Sequence, residues 1–143
     1  MRTPLLLLVT LFAGCGDPMF IIPGSGLDGE VSAPPSEWAT DAVETIQVEF
    51  RHDDPYSVNI WNAGIGPDLY IATGADGTRW TPLVEADPAV RARIGDTVYE
   101  LTASPVTAAD EIKLVGDAYV AKYDVDPDDN WVAAGRIFRL DRR

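Results

Sequence analysis

The stretch Thr73-Gly-Ala-Asp-Gly-Thr-Arg79-Trp80 places a hydroxyl, a glycine turn and a guanidinium within one short segment. A strand pattern precedes it and a helical turn follows. Backbone N–H groups at a helix start, a hydroxyl and an arginine fork together suit an anion such as phosphate. The same ingredients also make an ordinary glycine turn whose arginine is held by a carboxylate. The residues alone leave both readings open. Arg91, Arg93, Arg136 and Arg139 fall on strand patterns, where they either add to a positive patch or are absorbed in salt bridges.

The other chemistry-bearing residues exclude more than they suggest. His52 is the only histidine, which rules out a Ser-His-Asp triad and a zinc site of several histidines. It stands in Arg51-His-Asp-Asp-Pro55 and reads as an exposed turn residue. Asp124, Asp126 and Asp128 are spaced like the start of an EF-hand loop, but the motif then fails. Asp129 stands where glycine is needed, Gly135 where the bidentate glutamate is needed, and Pro127 stiffens the middle. A solvated acidic loop is expected, and no metal site is assigned. Trp38, Trp61, Trp80 and Trp131 read as core or lid rather than as a ligand platform. No residue stands out as catalytic.

These side chains need elements to hold them. Residues 42–50 alternate, with Val43, Thr45, Gln47 and Glu49 on one face and Ile46, Val48 and Phe50 on the other, as a half-buried strand does. Further strands are expected over 56–62, 68–74, 89–95, 97–106 and 131–140, with a turn over 63–67 and a tight Gly95-Asp96 hairpin. In 89–95, Val90, Ala92 and Ile94 oppose Arg91 and Arg93. A helical turn ended by Pro88 is expected in 78–88. The period shifts to three and four residues over 107–124, where Ala108, Ile112, Val115, Tyr119 and Lys122-Tyr123 fall at the steps of an amphipathic helix. Thr107 is the expected N-cap, with Asp110 and Glu111 at the positive end of the dipole. Six strands with short turns predict a mainly β (α+β) domain, an antiparallel barrel or curled sheet with one short and one longer helix.

The N-terminus gives an address. Arg2, the apolar run Pro4–Phe12 and the small pair Ala13-Gly14 have the grammar of a secretory signal. The apolar run is well short of the ~20 residues that cross a bilayer. Leu11-Phe-Ala-Gly-Cys15 resembles the bacterial lipobox, with Phe12 where that family usually has Leu, Val or Ile. The resemblance implies cleavage after residue 14 and a lipidated Cys15, the one cysteine of the chain. It also implies a cell-envelope location held by membrane lipid, the outer membrane rather than the inner one because Gly16 follows the cysteine. Residues 15–36 are rich in Gly, Pro and Ser and read as a lipidated flexible tether, which leaves 37–143 as the domain. The chain carries a net charge of −12, and removal of residues 1–14 takes away only Arg2 and brings it to −13. Such a surface repels polyanions, which excludes nucleic acid as a partner.

Residues 56–140 resemble the split-barrel flavin-binding superfamily, which includes pyridoxamine 5′-phosphate oxidase-like proteins and deazaflavin-dependent nitroreductases. The resemblance rests on DLYIATG, RWTPLVEADPAVRARIG, YELTASPVTAADE, DAYVAKYD and GRIFRL. There a strand ends in Thr, a basic residue follows about six positions later, and a short helix leads to a Leu-x-x-Asp/Asn-Pro-x-Val run. Thr73, Arg79, Leu83, Asp87, Pro88 and Val90 take those places. The resemblance implies a six-stranded antiparallel split β-barrel, usually a homodimer. FMN or a deazaflavin lies in the dimer groove, with its phosphate at Thr73, Arg79 and Trp80 and its ring along Ser57–Trp61. It implies redox chemistry by hydride transfer, for which the protein supplies orientation rather than a catalytic acid. Fewer basic residues than usual, Pro82 before the leucine, and an exported address stand against a bound cofactor. The other expectation is therefore a non-catalytic envelope lipoprotein whose barrel has lost its cofactor and binds a small molecule or a protein.

Overall fold

In the computed structural model, which describes residues 24–129 and 131–143, six antiparallel strands close on themselves. They are β2 (Thr45–Phe50), β3 (Tyr56–Ile65), β4 (Asp68–Thr73), β5 (Ala89–Ile94), β6 (Thr97–Pro105) and β7 (Arg136–Arg142). A two-residue strand β1 (Glu30–Val31) precedes them, α1 (Thr81–Ala86) lies between β4 and β5, and α2 (Ala109–Tyr123) lies between β6 and β7. Neighbours run β6-β5-β2-β3-β4-β7, and β7 returns to β6. β6 divides its free edge. Thr97 and Val98 take β1 in parallel, and Leu101 to Pro105 take β7.

The period-two pattern makes the barrel, because alternate side chains face its interior. Ile46, Val48 and Phe50 point inward, as do Val58, Ile60, Leu69, Ile71, Val90, Ala92, Leu101, Ala103, Phe138 and Leu140. Trp38 closes one end, edge-on to Tyr99 at 5.0 Å, and Trp80 with Val84 of α1 closes the other. α2 packs outside the barrel. Val115 and Tyr119 bury against Ala63, Tyr70, Ala72, Val132 and Ile137.

The short turns follow sequence chemistry. Gly66-Pro67 joins β3 to β4 and Gly95-Asp96 joins β5 to β6, with φ of 56° at Gly66 and 59° at Gly95, the left-handed region that glycine enters at no steric cost. Pro82 sits in the first turn of α1, where its missing N–H has no helical partner to lose.

Four local expectations are corrected. β3 runs through the expected 63–67 turn as far as Ile65. Gly64 is a strand residue against which the Trp38 backbone packs: a Cβ there would lie 2.3 Å from the Trp38 carbonyl oxygen. The last strand begins at Arg136 rather than at Trp131. Residues 131–134 form a turn that buries Val132, and Gly135 passes so close to the Thr73 carbonyl that a Cβ would meet it at 2.2 Å. The N-cap of α2 is Ala108, not Thr107, with no side-chain cap, and Asp110 and Glu111 occupy the first turn.

The fourth concerns residues 24–36, read as tether. They lie against the barrel wall. Gly24 bridges Ser57 on β3, Arg91 and Arg93 hold the Leu27 and Asp28 carbonyls, and β1 pairs with β6. The strap thus crosses the outer faces of β3, β2, β5 and β6. Gly29 lets it pass, since a Cβ there would lie 2.7 Å from the Asp96 carbonyl oxygen. The expected lipidation site Cys15 lies outside the described residues.

Candidate functional site

Thr73 ends β4 and is buried, its backbone paired with Arg136. The chain then turns through Gly77, whose φ of 73° favours glycine and whose N–H donates to the Gly74 carbonyl at 2.9 Å. The buried Thr81 hydroxyl accepts from the Thr78 N–H at 2.8 Å and locks the loop to the start of α1. The loop sends its last two side chains in different directions. Trp80 is 5% exposed, stacked on Phe50 at 5.4 Å and edge-on to Phe138 at 5.7 Å. Its indole is part of the barrel core. Arg79 is exposed, and its guanidinium carbon lies 5.2 Å from the Tyr56 ring centre. Arg51 reaches the same ring from the β2–β3 turn at 5.9 Å. The resemblance groups Thr73, Arg79 and Trp80 at a phosphate. The structure gives Arg79 the company of Tyr56 and Arg51.

Arg79 differs from the other arginines weighed from sequence. Arg91 faces Glu49, Arg136 bonds Glu85 at 2.9 Å, and Arg139 bonds Glu111 at 2.7 Å and Asp141 at 2.6 Å. Those two carboxylates hold the Arg139 guanidinium well above its ordinary pKa. Arg93 bonds Gln47 and the Asp28 carbonyl. The strand arginines are therefore committed to the fold and form no patch. No carboxylate among the described residues pairs with Arg79.

His52 donates from Nδ1 to Glu49 at 3.2 Å. Asp124 ends α2 in the left-handed region at φ 53°, and Asp126 accepts the Asp128 N–H at 2.9 Å. Among the described residues no three His, Cys, Asp or Glu side chains converge to hold a metal ion.

Among the described residues, surface cavities include two of similar size. One of about 440 Å³ lies between α1, β6 and β7, lined by Val84, Ala103, Val106 and Phe138 and edged by the Glu85–Arg136 pair. The other, about 410 Å³, lies between Trp61, Lys122 and Tyr123 and is edged by Asp41, Glu44 and Asp124. There Trp61 stacks on Tyr123 at 4.3 Å, and Lys122 donates to the Thr40 and Asn62 carbonyls at 2.8 and 2.9 Å. Burial lowers the Lys122 pKa.

Beside this cavity the Tyr119 hydroxyl donates to the Trp61 carbonyl at 2.9 Å. Burial pushes its pKa far above the ordinary tyrosine value, and burial and the bond to Glu111 do the same for Tyr70. Above pH ~10 the unfolded chain gives up phenolic protons that the folded one keeps, so stability falls as pH rises past that point. Lys122 has the opposite sign and ceases to contribute above its unfolded value of ~10.4. Tyr119→Phe is expected to cost about 1 kcal/mol at pH 7 and to flatten the alkaline decline. Urea midpoints from pH 8 to 11 measure both, and an unchanged slope would contradict the assignment.

Three solved structures are similar to this chain in fold. An F420-H2-dependent reductase, FDR-A, is 15% identical over 81% of this chain and all of its own, with a TM-score of 0.59. A pyridoxamine 5′-phosphate oxidase-like protein from Listeria innocua is 14% identical over 72% of this chain and 86% of its own, with a TM-score of 0.56. A domain-swapped dimer is 15% identical over 69% and 81%, with a TM-score of 0.57. The fold is the split barrel. At these identities the likeness concerns the fold alone, and the sequence matches no protein-family model and no curated protein.

Proposed function

We propose that this chain is an envelope lipoprotein whose split barrel binds a phosphate-bearing cofactor of the flavin or deazaflavin class. The observation that carries the reading is Arg79, an exposed guanidinium without a carboxylate partner among the described residues, in a chain of net charge −12. It stands on the loop where the resemblance puts the cofactor phosphate. FDR-A, which has the same fold, is an F420-H2-dependent reductase, and this supports the class of ligand.

The phosphate end fits the residues present. Arg79 offers a fork of donors, and Thr81 holds the loop in place. Trp80 contributes through the core rather than through its ring. The ring end fits less well: the N–H and carbonyl of Ser57 both pair with Gly24, at 3.0 and 2.8 Å, so the strap covers that edge. A bound flavin or deazaflavin would supply hydride transfer. The chain supplies binding, orientation and exclusion of water, and no catalytic residue is assigned. A homodimer belongs to this reading, and the domain-swapped dimer of the same fold supports it.

The covered Ser57 edge favours a second reading, in which the barrel is not catalytic and holds a phosphorylated small molecule or a partner protein at the envelope. A visible spectrum of the detergent-solubilised full-length protein, followed by FMN and deazaflavin titration, separates the two. Arg79→Ala is expected to weaken flavin binding ten- to a hundredfold, the loss of a charge-assisted contact of about 1.5–3 kcal/mol. A protein that takes up neither chromophore belongs to the second reading.

The anchor is tested separately. Cys15→Ser is expected to move the protein from the membrane to the soluble fraction, because the acyl chains are the hold. Retention at the membrane would defeat the lipoprotein reading, and density fractionation of the native protein tests the outer membrane.

A further inference from the structure

We propose that Arg51 and Arg79 form a two-arginine clamp on the Tyr56 ring that takes a phosphoryl dianion. This deepens the reading above and shares Arg79 with it, but adds a residue that neither the loop motif nor the resemblance contains.

Three observations converge. First, both guanidinium carbons lie within cation–π range of one ring, 5.9 Å for Arg51 and 5.2 Å for Arg79, which bounds their separation at about 11 Å. In a chain with 23 acidic residues and 11 basic ones, two cations on one aromatic ring form a local reversal of sign. Among the described residues one carboxylate answers them, Asp54, at 2.9 Å from Arg51 and 81% exposed. Second, Arg51 holds a left-handed backbone, φ 57°, which is uncommon for a residue with a side chain. That conformation turns the chain out of β2 immediately after Phe50, whose partner across the hairpin is Tyr56. It thereby puts Arg51 back over the ring. Third, the Arg51 Nε is without a hydrogen-bond partner among the described residues, as are Arg91 Nε and Trp38 Nε1, so the ion pair with Asp54 leaves the Arg51 fork only partly used.

Each residue has a part. Tyr56, 9% exposed, holds both guanidinium groups within cation–π range of its ring. Arg79 comes from the α1 side and Arg51 from the hairpin side. Asp54 occupies part of the Arg51 fork and competes with an incoming anion. A phosphoryl group with two negative charges gains from both forks, whereas a singly charged anion gains from little more than one. The clamp therefore selects phosphate esters and diphosphates over chloride or acetate.

The test titrates pyrophosphate and inorganic phosphate into the full-length protein in detergent, read by tryptophan fluorescence and thermal midpoint, with chloride at matched ionic strength as the control. The phosphoryl anions are expected to bind and chloride to have no effect. Arg51→Gln and Arg79→Gln should each weaken pyrophosphate at least tenfold, and Arg51→Lys, which keeps the charge but loses the fork, should restore only part. Asp54→Asn should tighten binding two- to tenfold by releasing the Arg51 fork, while Asp53→Asn, its unpaired neighbour, should change it less than twofold. A merely structural Arg51 would not give that opposite sign. If Arg79→Gln weakens binding and Arg51→Gln does not, the clamp is wrong and the reading of Arg79 survives. Pyrophosphate binding that needs both arginines, in a protein that takes no flavin or deazaflavin, upholds the clamp and defeats the cofactor reading. No binding of either phosphoryl anion overturns the clamp, whatever the flavin titration gives.

Discussion

Trp80→Ala is expected to lower the stability of the domain by about 3–5 kcal/mol, the range for truncating a large buried aromatic. The ring is stacked on Phe50 with an interplanar angle of 6° and meets Phe138 edge-on, so its removal leaves a void between β2, β7 and α1. The residue is also the N-cap of α1, and the first helical bond runs from the Val84 N–H to its carbonyl at 3.1 Å. A helix of six residues does not stand alone, so loss of the anchoring ring loosens the whole segment. Trp80→Phe fills most of the void and should cost less than half as much. Arg79→Ala, one position away and exposed, should change stability by under about 0.5 kcal/mol. Urea unfolding of the three variants is the measurement. A loss below about 1 kcal/mol for Trp80→Ala would show that the ring is not the plug of the barrel.

The contrast between these neighbours marks the limit of what a sequence discloses. The barrel was legible because it rests on alternation. Val90 and Ala92 against Arg91 and Arg93 needs no distant information, and the same holds for Ile46, Val48 and Phe50. The two glycine hairpins were half legible, since Gly95-Asp96 stands between clean strands whereas Gly64 obscures where β3 ends. Gly64 is glycine because of Trp38, far away in the chain, and composition cannot show that. Arg79 was legible by type and loop. Arg51 was not, because its place over Tyr56 depends on a left-handed backbone at one position. For Arg136 and Arg139 the sequence leaves a positive patch and salt bridges both open, because the carboxylate each finds lies across a tertiary contact.

Glu49 is the case where alternation misleads, and it carries the second large effect. The pattern puts it on the outer face of β2, and it does point outward, yet it is 1% exposed because the strap lies over it. Its Oε2 accepts the Leu27 N–H at 2.5 Å, and its Oε1 faces His52 Nδ1 at 3.2 Å and Arg91 Nε at 3.6 Å. Two hydrogen bonds and one ion-pair contact converge on one acceptor-only group, and no neutral side chain can answer them all. Glu49→Ala is expected to cost about 2–4 kcal/mol, because it strands a buried N–H and removes the counter-charge of Arg91. Glu49→Gln should recover only part. Its carbonyl can serve Leu27, but its amide then turns N–H groups toward Arg91. Hydrogen exchange locates the damage. Protection at Leu27 should fall at least tenfold in both variants, and Ser32, whose N–H bonds the Val98 carbonyl at 3.0 Å beyond β1, should lose less. An unchanged Leu27 rate would mean that β1 and the Gly24–Ser57 bridge hold the strap by themselves. Otherwise Glu49 is the latch that keeps the strap over the Ser57 edge.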